Sequence, residues 1–115
     1  MRSFRFIVAA TAATLLSTPA LADAIEGNWK RPNGIIVRFA ACGEGFCATA
    51  MTGPHAGGHA GKLSPDGAGK YIGSLTDLEN NKTYSGKGSI SGSTLTVTGC
   101  VLGGLFCRSE AWARQ

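Results

Sequence analysis

Four cysteines are the side chains whose spacing says most about the chemistry of this chain. They form two short pairs, Cys42-Gly-Glu-Gly-Phe-Cys47 and Cys100-Val-Leu-Gly-Gly-Leu-Phe-Cys107. Four cysteines permit three disulfide pairings, and we favour the two local ones, Cys42–Cys47 and Cys100–Cys107. Each would close a small loop and stabilise the fold by roughly 2 to 2.5 kcal/mol in the chain-entropy model. A zinc site built from all four thiolates is disfavoured, because the six residues inside the second pair exceed the usual spacing.

Charged and aromatic side chains near the C-terminus form a second candidate site. If residues 105–114 form a strand with regular alternation, its inward face carries Arg108, Glu110, Trp112 and Arg114. Charges inside a small barrel are costly unless they are paired. Arg108 and Glu110 would therefore pair with each other or line a pocket for a polar or anionic ligand. A β-bulge at the start of the strand would instead reverse the register and send both charges to solvent.

Two further groups of side chains carry weaker indications. His55 and His59 lie in a glycine-rich stretch, and two imidazoles without a helix to align them make a poor metal site. We expect an exposed loop there and no bound metal. Glu44 and Phe46 lie between the first two cysteines, where a rigid tip with an aromatic residue is suited to contact a partner. Local packing of Phe46 is the simpler expectation.

Common catalytic motifs are missing from the sequence. There is no G-x-S-x-G, no H-E-x-x-H and no phosphate-binding loop, and oxidised cysteines cannot act as nucleophiles. We therefore expect neither enzymatic activity nor a cofactor. Beyond residue 22 the chain has nine basic and seven acidic residues, scattered singly or in pairs. No clustered basic face is present to follow a phosphate backbone, which argues against nucleic acid as a partner.

The first 22 residues have the organisation of an export signal. Arg2 and Arg5 precede an apolar run at 6–16, and Ala20-Leu21-Ala22 matches an A-x-A cleavage site. The apolar run is too short for a bilayer-spanning helix, which needs roughly 20 residues. We predict a cleaved signal peptide at 1–22 and a single domain at 23–115. The mature protein would be periplasmic or secreted, without stable membrane insertion, in a compartment where disulfides persist.

The chain beyond the signal is typical of a β-meander. All seventeen glycines lie after Ala22, and no long 3.6-residue periodicity indicates a helix. Short β-type runs recur between turn residues. The predicted strands are 25–31, 35–41, 46–52, a short strand near 62–63 after a loop at 53–61, 69–76, 82–90, 94–100 and 105–114. Such a meander hides its edges by closing into a barrel of seven or eight strands, and an open, partly flattened barrel is the alternative.

Both cysteine pairs fit hairpins of this meander. A two-residue turn at 103–104 places Leu102 opposite Leu105 and Cys100 opposite Cys107. The Cα atoms of opposed residues lie about 4.5 to 5.5 Å apart, which a disulfide can bridge. The first cysteine pair is expected to oppose in the same way across a four-residue loop.

Several segments together resemble a known bacterial family. They are Gly27-Asn28-Trp29, Val37-Arg38-Phe39, Lys82-Thr83-Tyr84-Ser85 and, most specifically, the block at 99–109 that continues to Trp112-Ala113-Arg114. Through these segments, nearly the whole chain beyond residue 22 resembles the exported bacterial domain-of-unknown-function 2147 family. The resemblance implies an envelope protein whose biochemical role is not established. The connection at 51–59 is shorter here than in the family.

A looser likeness links the chain to lipocalin-type barrels. These open with G-x-W and lay an arginine from the last strand over that tryptophan. The likeness implies a cation–π contact between Trp29 and Arg114, worth about 0.5 to 2 kcal/mol, that closes the barrel.

Two functional hypotheses follow. The first is a non-catalytic binding module that holds a small ligand inside the barrel. Its candidate ligand-binding residues are Trp29, Tyr71, Tyr84, Arg108, Glu110, Trp112 and Arg114. The second is an envelope interaction protein, such as a stress factor or an inhibitor of a secreted hydrolase, that acts through rigid disulfide-stapled loops; it rests on analogy of fold. The partner is accordingly an unknown small ligand or an envelope protein.

Overall fold

The structure, a computed structural model, describes residues 23–115 as a series of short β-strands. The predicted signal peptide at 1–22 lies outside these residues. The strands are β1 (Gly27–Lys30), β2 (Ile36–Cys42), β3 (Gly45–Ala50), β4 (His59–Pro65), β5 (Lys70–Asp77), β6 (Lys82–Ser91), β7 (Thr94–Val101) and β8 (Phe106–Arg114). Among the described residues, no helix has the length and apolar character needed to cross a membrane.

The eight strands form one closed barrel. Each strand pairs antiparallel with the next in sequence, and β1 pairs with β8 to complete the circle. The predicted closed barrel is therefore confirmed with eight strands, and the open, flattened alternative is not adopted. Closure pairs β1 with β8 over two residues of each strand, which shortens the free edges of the sheet and reduces the hazard of edge-to-edge pairing.

The core lies inside the barrel and consists of alternate side chains along the strands. Leu95 and Val97 of β7 are buried inside, whereas Thr96 between them is exposed. The same period of two recurs in the other strands. The buried core residues are Ile25, Trp29, Val37, Phe39, Ala48, Leu63, Tyr71, Leu95, Val97 and Trp112.

Inward-facing glycines leave room inside the barrel for large side chains of neighbouring strands. Gly73, Gly86 and Gly99 face one another in β5, β6 and β7. A Cβ atom on Gly86 would lie 2.7 Å from Cγ of Leu75, and one on Gly99 would lie 3.3 Å from Cβ of Tyr84. Side chains at these two positions would therefore displace Leu75 and Tyr84, which lie over the glycines.

The fourth strand is longer than the sequence predicted. We expected a loop at 53–61 and a short strand near 62–63, but β4 is paired from His59 to Pro65. Its register shifts against β3, because Ala48 faces Gly61 and Thr49 faces His59, which leaves Ala60 unpaired as a β-bulge. Gly61 has φ 140°, a conformation that favours glycine. The loop is therefore confined to 51–58, and Gly61 belongs to the bulge in β4.

Both predicted disulfides are present, but the first hairpin differs in its geometry. Cys100 and Cys107 oppose each other directly, with 4.1 Å between their Cα atoms. Cys42 instead faces Gly45 across a two-residue turn, so the disulfide to Cys47 runs diagonally over a Cα distance of 5.7 Å. The expected four-residue loop was wrong, because the ladder continues inside the cysteine bracket. Among the described residues no cysteine is free.

The second hairpin ends in a 3₁₀ turn instead of the expected two-residue turn. Ladder pairing stops at Val101 and Phe106, and Leu102–Gly104 forms the turn, closed by the Leu105 N–H donating to the Leu102 carbonyl at 3.2 Å. Leu102 itself has φ 54°. The predicted pairing of Leu102 with Leu105 across the ladder was therefore wrong. Pairing of β8 with β7 is continuous, without the bulge that we considered.

One end of the barrel is closed by the segment before β1. Ile25 is fully buried, and its carbonyl accepts a hydrogen bond from Trp29 Nε1 at 2.8 Å. The Arg114 guanidinium donates to the carbonyls of Ala24 and Glu26, the latter at 2.7 Å. Its Cζ atom lies 4.0 Å from the centre of the Trp29 ring. The predicted cation–π contact is confirmed, and it fastens this segment to the last strand.

We predict that Arg114→Ala lowers the free energy of unfolding by about 1 to 3 kcal/mol, because it removes the cation–π contact and two charge-assisted hydrogen bonds. Urea denaturation followed by tryptophan fluorescence measures the effect. Arg38→Ala is the matched control, since Arg38 is exposed on the outside of β2. Equal stability of the two variants would contradict a clamping role for Arg114.

Candidate functional site

The other end of the barrel opens into a cavity of about 640 Å³. In an up-and-down barrel, alternate connections emerge at the same end. The four connections at this end, 31–35, 51–58, 78–81 and 102–105, all contribute lining residues. The cavity volume falls within the range of roughly 300 to 1,000 Å³ that is usual for small-molecule sites.

The wall of the cavity is mainly apolar. Leu75, Val97 and Val101 line it from neighbouring strands, and the aromatic rings of Tyr84 and Trp112 line it as well. Trp112 is 6% exposed and packs against Phe39 in the core, so the bottom of the cavity is continuous with the hydrophobic interior. A ligand that reached this depth would bury apolar surface against rigid side chains.

A paired charge lies within this apolar wall. The Glu110 carboxylate accepts hydrogen bonds from Arg31 Nε at 2.9 Å and Nη2 at 3.1 Å, a bidentate arrangement. It also accepts a hydrogen bond from Trp112 Nε1 at 2.7 Å. The Arg31 guanidinium in turn lies 5.8 Å from the centre of the Trp112 ring. The three side chains hold one another in place across β1 and β8.

The electrostatics of this pair keep both partners charged. Hydrogen bonds from Arg31 lower the pKa of Glu110 below its ordinary value, against the opposing effect of burial. The hydrogen bond to Glu110 raises the pKa of Arg31 in the same way. The two side chains remain about one-third exposed, so solvent screens their attraction. Glu110 thus carries a negative charge that Arg31 already neutralises.

Further charges surround the mouth of the cavity. Arg108 is exposed at the mouth and faces Gly99 across the β7–β8 ladder. Lys82 and Asp77 face each other at the ends of β5 and β6. Asp77 accepts hydrogen bonds from Asn80 Nδ2 at 2.8 Å and from a backbone N–H of the β5–β6 turn, and the Asn80 contact lowers the pKa of Asp77.

The structure divides the seven predicted ligand-binding residues between the two ends of the barrel. Tyr84, Arg108, Glu110 and Trp112 line the open cavity together.

The remaining three predicted residues lie towards the closed end. Trp29 is fully buried beneath Arg114, and the Tyr71 hydroxyl donates to the Asp23 carboxylate. Burial and this hydrogen bond raise the pKa of Tyr71 to about 12. Their contacts hold the fold together at the end opposite the cavity.

The remaining candidates, Phe46 and the two histidines, lie in different parts of the barrel. Phe46 is half-buried and packs edge-to-face against Tyr71, with 6.3 Å between ring centres, as the simpler expectation had it. His55 lines the cavity from the β3–β4 loop, whereas His59 is exposed on β4. Within residues 23–115, no group of three or more His, Cys, Asp or Glu side chains has the arrangement of a metal site.

Sequence reasoning missed the partner of Glu110. Pairing with Arg108 was one of the alternatives that we considered for Glu110, but the bidentate contact comes from Arg31, 79 residues away in sequence. The signal was present in the alternation of β1: Trp29 points inward, so Arg31 two residues later continues on the same side. What the sequence could not supply is the closure that brings β1 next to β8.

Fold and site together define a class of protein: an eight-stranded antiparallel up-and-down barrel, stapled by two disulfides, plugged at one end and open to a cavity at the other. The chain belongs to a family of uncharacterised proteins conserved in bacteria, the domain-of-unknown-function 2147 family, whose model matches residues 27–114. The resemblance seen in the sequence is thereby confirmed. No curated protein and no solved structure shows significant similarity to the chain.

We predict that Glu110→Gln lowers the free energy of unfolding near neutral pH by about 1 kcal/mol, because Arg31 loses its charged partner. The pKa of Glu110 is lower in the folded state than in the unfolded state. Its stabilising effect is therefore complete above the unfolded pKa and disappears as the pH falls through the folded pKa.

Urea denaturation from pH 7 down to pH 2 measures this dependence. The stability of the wild type should approach that of Glu110→Gln at the acid end, whereas Glu44→Gln, a change in an exposed turn, serves as the control. A constant difference between wild type and Glu110→Gln at every pH would contradict the assignment.

Proposed function

We propose that this protein is a non-catalytic binding module that holds a small ligand in the open end of its barrel. The observation that carries the proposal is the cavity of about 640 Å³ in a barrel whose other end is plugged. An apolar wall with a few oriented polar groups is the usual character of small-molecule sites. The Arg31–Glu110–Trp112 group adds polar surface to this wall, and its charges are paired with each other.

We place the protein outside the cytoplasm, in the periplasm or secreted. The predicted export signal supports this location, and the two disulfides are compatible with it. In that compartment the proposed role would be to carry, store or sense a molecule of the cell envelope. Neither catalysis nor a cofactor is part of the proposal, because no catalytic motif was found in the sequence.

We predict that Val97→Phe weakens binding of an apolar fluorescent probe by about tenfold, because the larger side chain fills the cavity. Thr96→Phe is the matched control: it introduces the same ring one residue earlier, on the outside of β7. Fluorescence titration measures both affinities, and urea denaturation verifies that both variants fold. Equal probe binding by the two variants would place the probe outside the barrel.

Exposed apolar side chains on the second cysteine hairpin favour another candidate function. Leu102, Leu105 and Phe106 are 70%, 72% and 60% exposed, and the Cys100–Cys107 disulfide anchors the hairpin that carries them. Exposed apolar patches mark protein-binding surfaces or the edges of ligand-binding grooves, and Leu105 and Phe106 also line the mouth of the cavity. The second candidate is therefore an envelope interaction or inhibitor protein that contacts its partner through this tip.

If the tip binds a protein, replacing Leu102, Leu105 and Phe106 together with serine should abolish recovery of a specific partner from envelope extract. Ile72→Ser is the matched control, since Ile72 is also exposed but lies on the outer face of β5. Quantitative mass spectrometry of the captured material measures recovery. A partner captured equally by the wild type and the serine variant would exclude the tip as its binding surface.

A further inference from the structure

Three cationic and three acidic side chains line the cavity, and one of the cations, Arg108, has no ion-pair partner in the part of the chain that the structure describes. Arg108 lines the cavity and lies at an inward-facing position of β8, and within residues 23–115 its side chain makes no hydrogen bond or ion pair. Its ladder neighbour Gly99 has no side chain that could pair with it, and the Tyr84 side chain lies next to Gly99. Arg108 is therefore an exposed cation that a ligand in the mouth can reach.

The nearest inward carboxylate, that of Glu110, makes no hydrogen bond with Arg108. Glu110 lies two residues further along β8, and its two oxygens are taken by Arg31 and Trp112. A cationic ligand would have to displace Arg31 from a bidentate contact in order to reach Glu110. An anionic ligand would find Arg108 without displacing anything.

The other charges at the rim do not change this balance towards a cationic ligand. Asp77 is engaged by hydrogen bonds of its own turn and faces Lys82 across the strands. Glu79 is exposed on that turn. Lys82 is a second cation that lines the cavity. Arg108 differs from Asp77 and Lys82 in having no charged residue opposite it in the ladder, and from Glu79 in lying on a strand and not on a turn.

Below this ring of charge the cavity is apolar. Leu75, Val97 and Trp112 form a wall against which a ligand can bury apolar surface, and Trp112 Nε1 already donates to Glu110. A charged group of a ligand would lose its hydration against this wall without an ion-pair partner, because Arg31 and Glu110 are bonded to each other. A charged head group is thus excluded from the depth of the cavity and confined to its mouth.

We propose that the ligand is an amphipathic anion, with an apolar body that lies against Trp112 and Val97 and an anionic head that binds Arg108 at the mouth. This inference rests on the proposed binding function and adds the chemical class of the ligand and its direction in the barrel. A carboxylate and a phosphate monoester share the head-group chemistry that an arginine recognises through paired N–H donors.

The test compares four probes with the same twelve-carbon chain: dodecanoate, dodecyl phosphate, dodecanol and dodecyltrimethylammonium, each below its micelle concentration. Isothermal titration calorimetry or displacement of an apolar fluorescent probe gives their affinities. We expect at least one of the two anions to bind about tenfold more tightly than the alcohol, as one charge-assisted contact would provide. The preferred anion then identifies the head group as a carboxylate or a phosphate.

Variants of the wild-type chain then locate the head. Arg108→Gln should reduce anion binding about tenfold and leave the affinity for dodecanol within about twofold of the wild type, so the preference disappears. Arg38→Gln removes the same charge from the outside of β2 and should leave all four affinities unchanged. Arg108 is exposed, so its replacement is not expected to impair folding.

The outcomes separate the two levels of the proposal. If anions and alcohol bind equally, or if the ammonium probe binds best, the head-group assignment is overturned while binding in the cavity stands. An anion preference that survives in Arg108→Gln overturns the assignment of Arg108. If none of the four probes binds, and Val97→Phe has no effect on any apolar probe, the binding function itself fails.

Discussion

The short seam between the first and last strands is the contact on which the closed barrel depends. β1 and β8 share only two ladder pairs, Trp29 with Arg114 and Lys30 with Ala113. The backbone alone therefore contributes little to closure. Arg114 supplies the rest, because its guanidinium covers the Trp29 ring and binds two carbonyls of the segment before β1. Were this seam to open, the buried ring of Trp29 would meet water.

The same seam also creates the polar group of the cavity. Arg31 follows β1 and Glu110 belongs to β8, so their bidentate contact exists only when these strands are neighbours. The pair in turn spans the seam at the open end, as Arg114 does at the closed end. A charge in the barrel wall is tolerated because it is paired and partly solvated, which offsets the cost of burying an isolated carboxylate.

The two ends of the barrel carry different connections, because antiparallel neighbours place successive connections at opposite ends. Turns of two to four residues join the strands at the closed end, and the segment at 23–26 covers it. Longer connections surround the open end and leave its interior accessible. Each end carries one disulfide, so the hairpin next to the plug and the hairpin at the mouth are both anchored. Stability and the proposed binding site are thereby separated along the barrel axis.

Most of the strands were predictable because alternation and turn residues are local signals. β6 and β7 were predicted almost to their ends, and the inward side of β8 followed from its alternation once its register was known. β4 was predicted too short, since Gly61 looks like a loop residue in sequence but lies in a paired strand beside a bulge. A glycine in the sequence indicates an unusual backbone conformation, but it does not show whether that conformation belongs to a turn or to a bulge.

The sequence by itself determined an all-β chain with two local disulfides, because the period of two, the turn residues and the cysteine spacing act over a few residues. It also indicated the family through its C-terminal block. Only the tertiary structure decided which of the aromatic and charged residues share a cavity, and that Arg31 rather than Arg108 neutralises Glu110. These facts depend on the closure of β1 on β8, a contact between residues some eighty positions apart that no local pattern encodes.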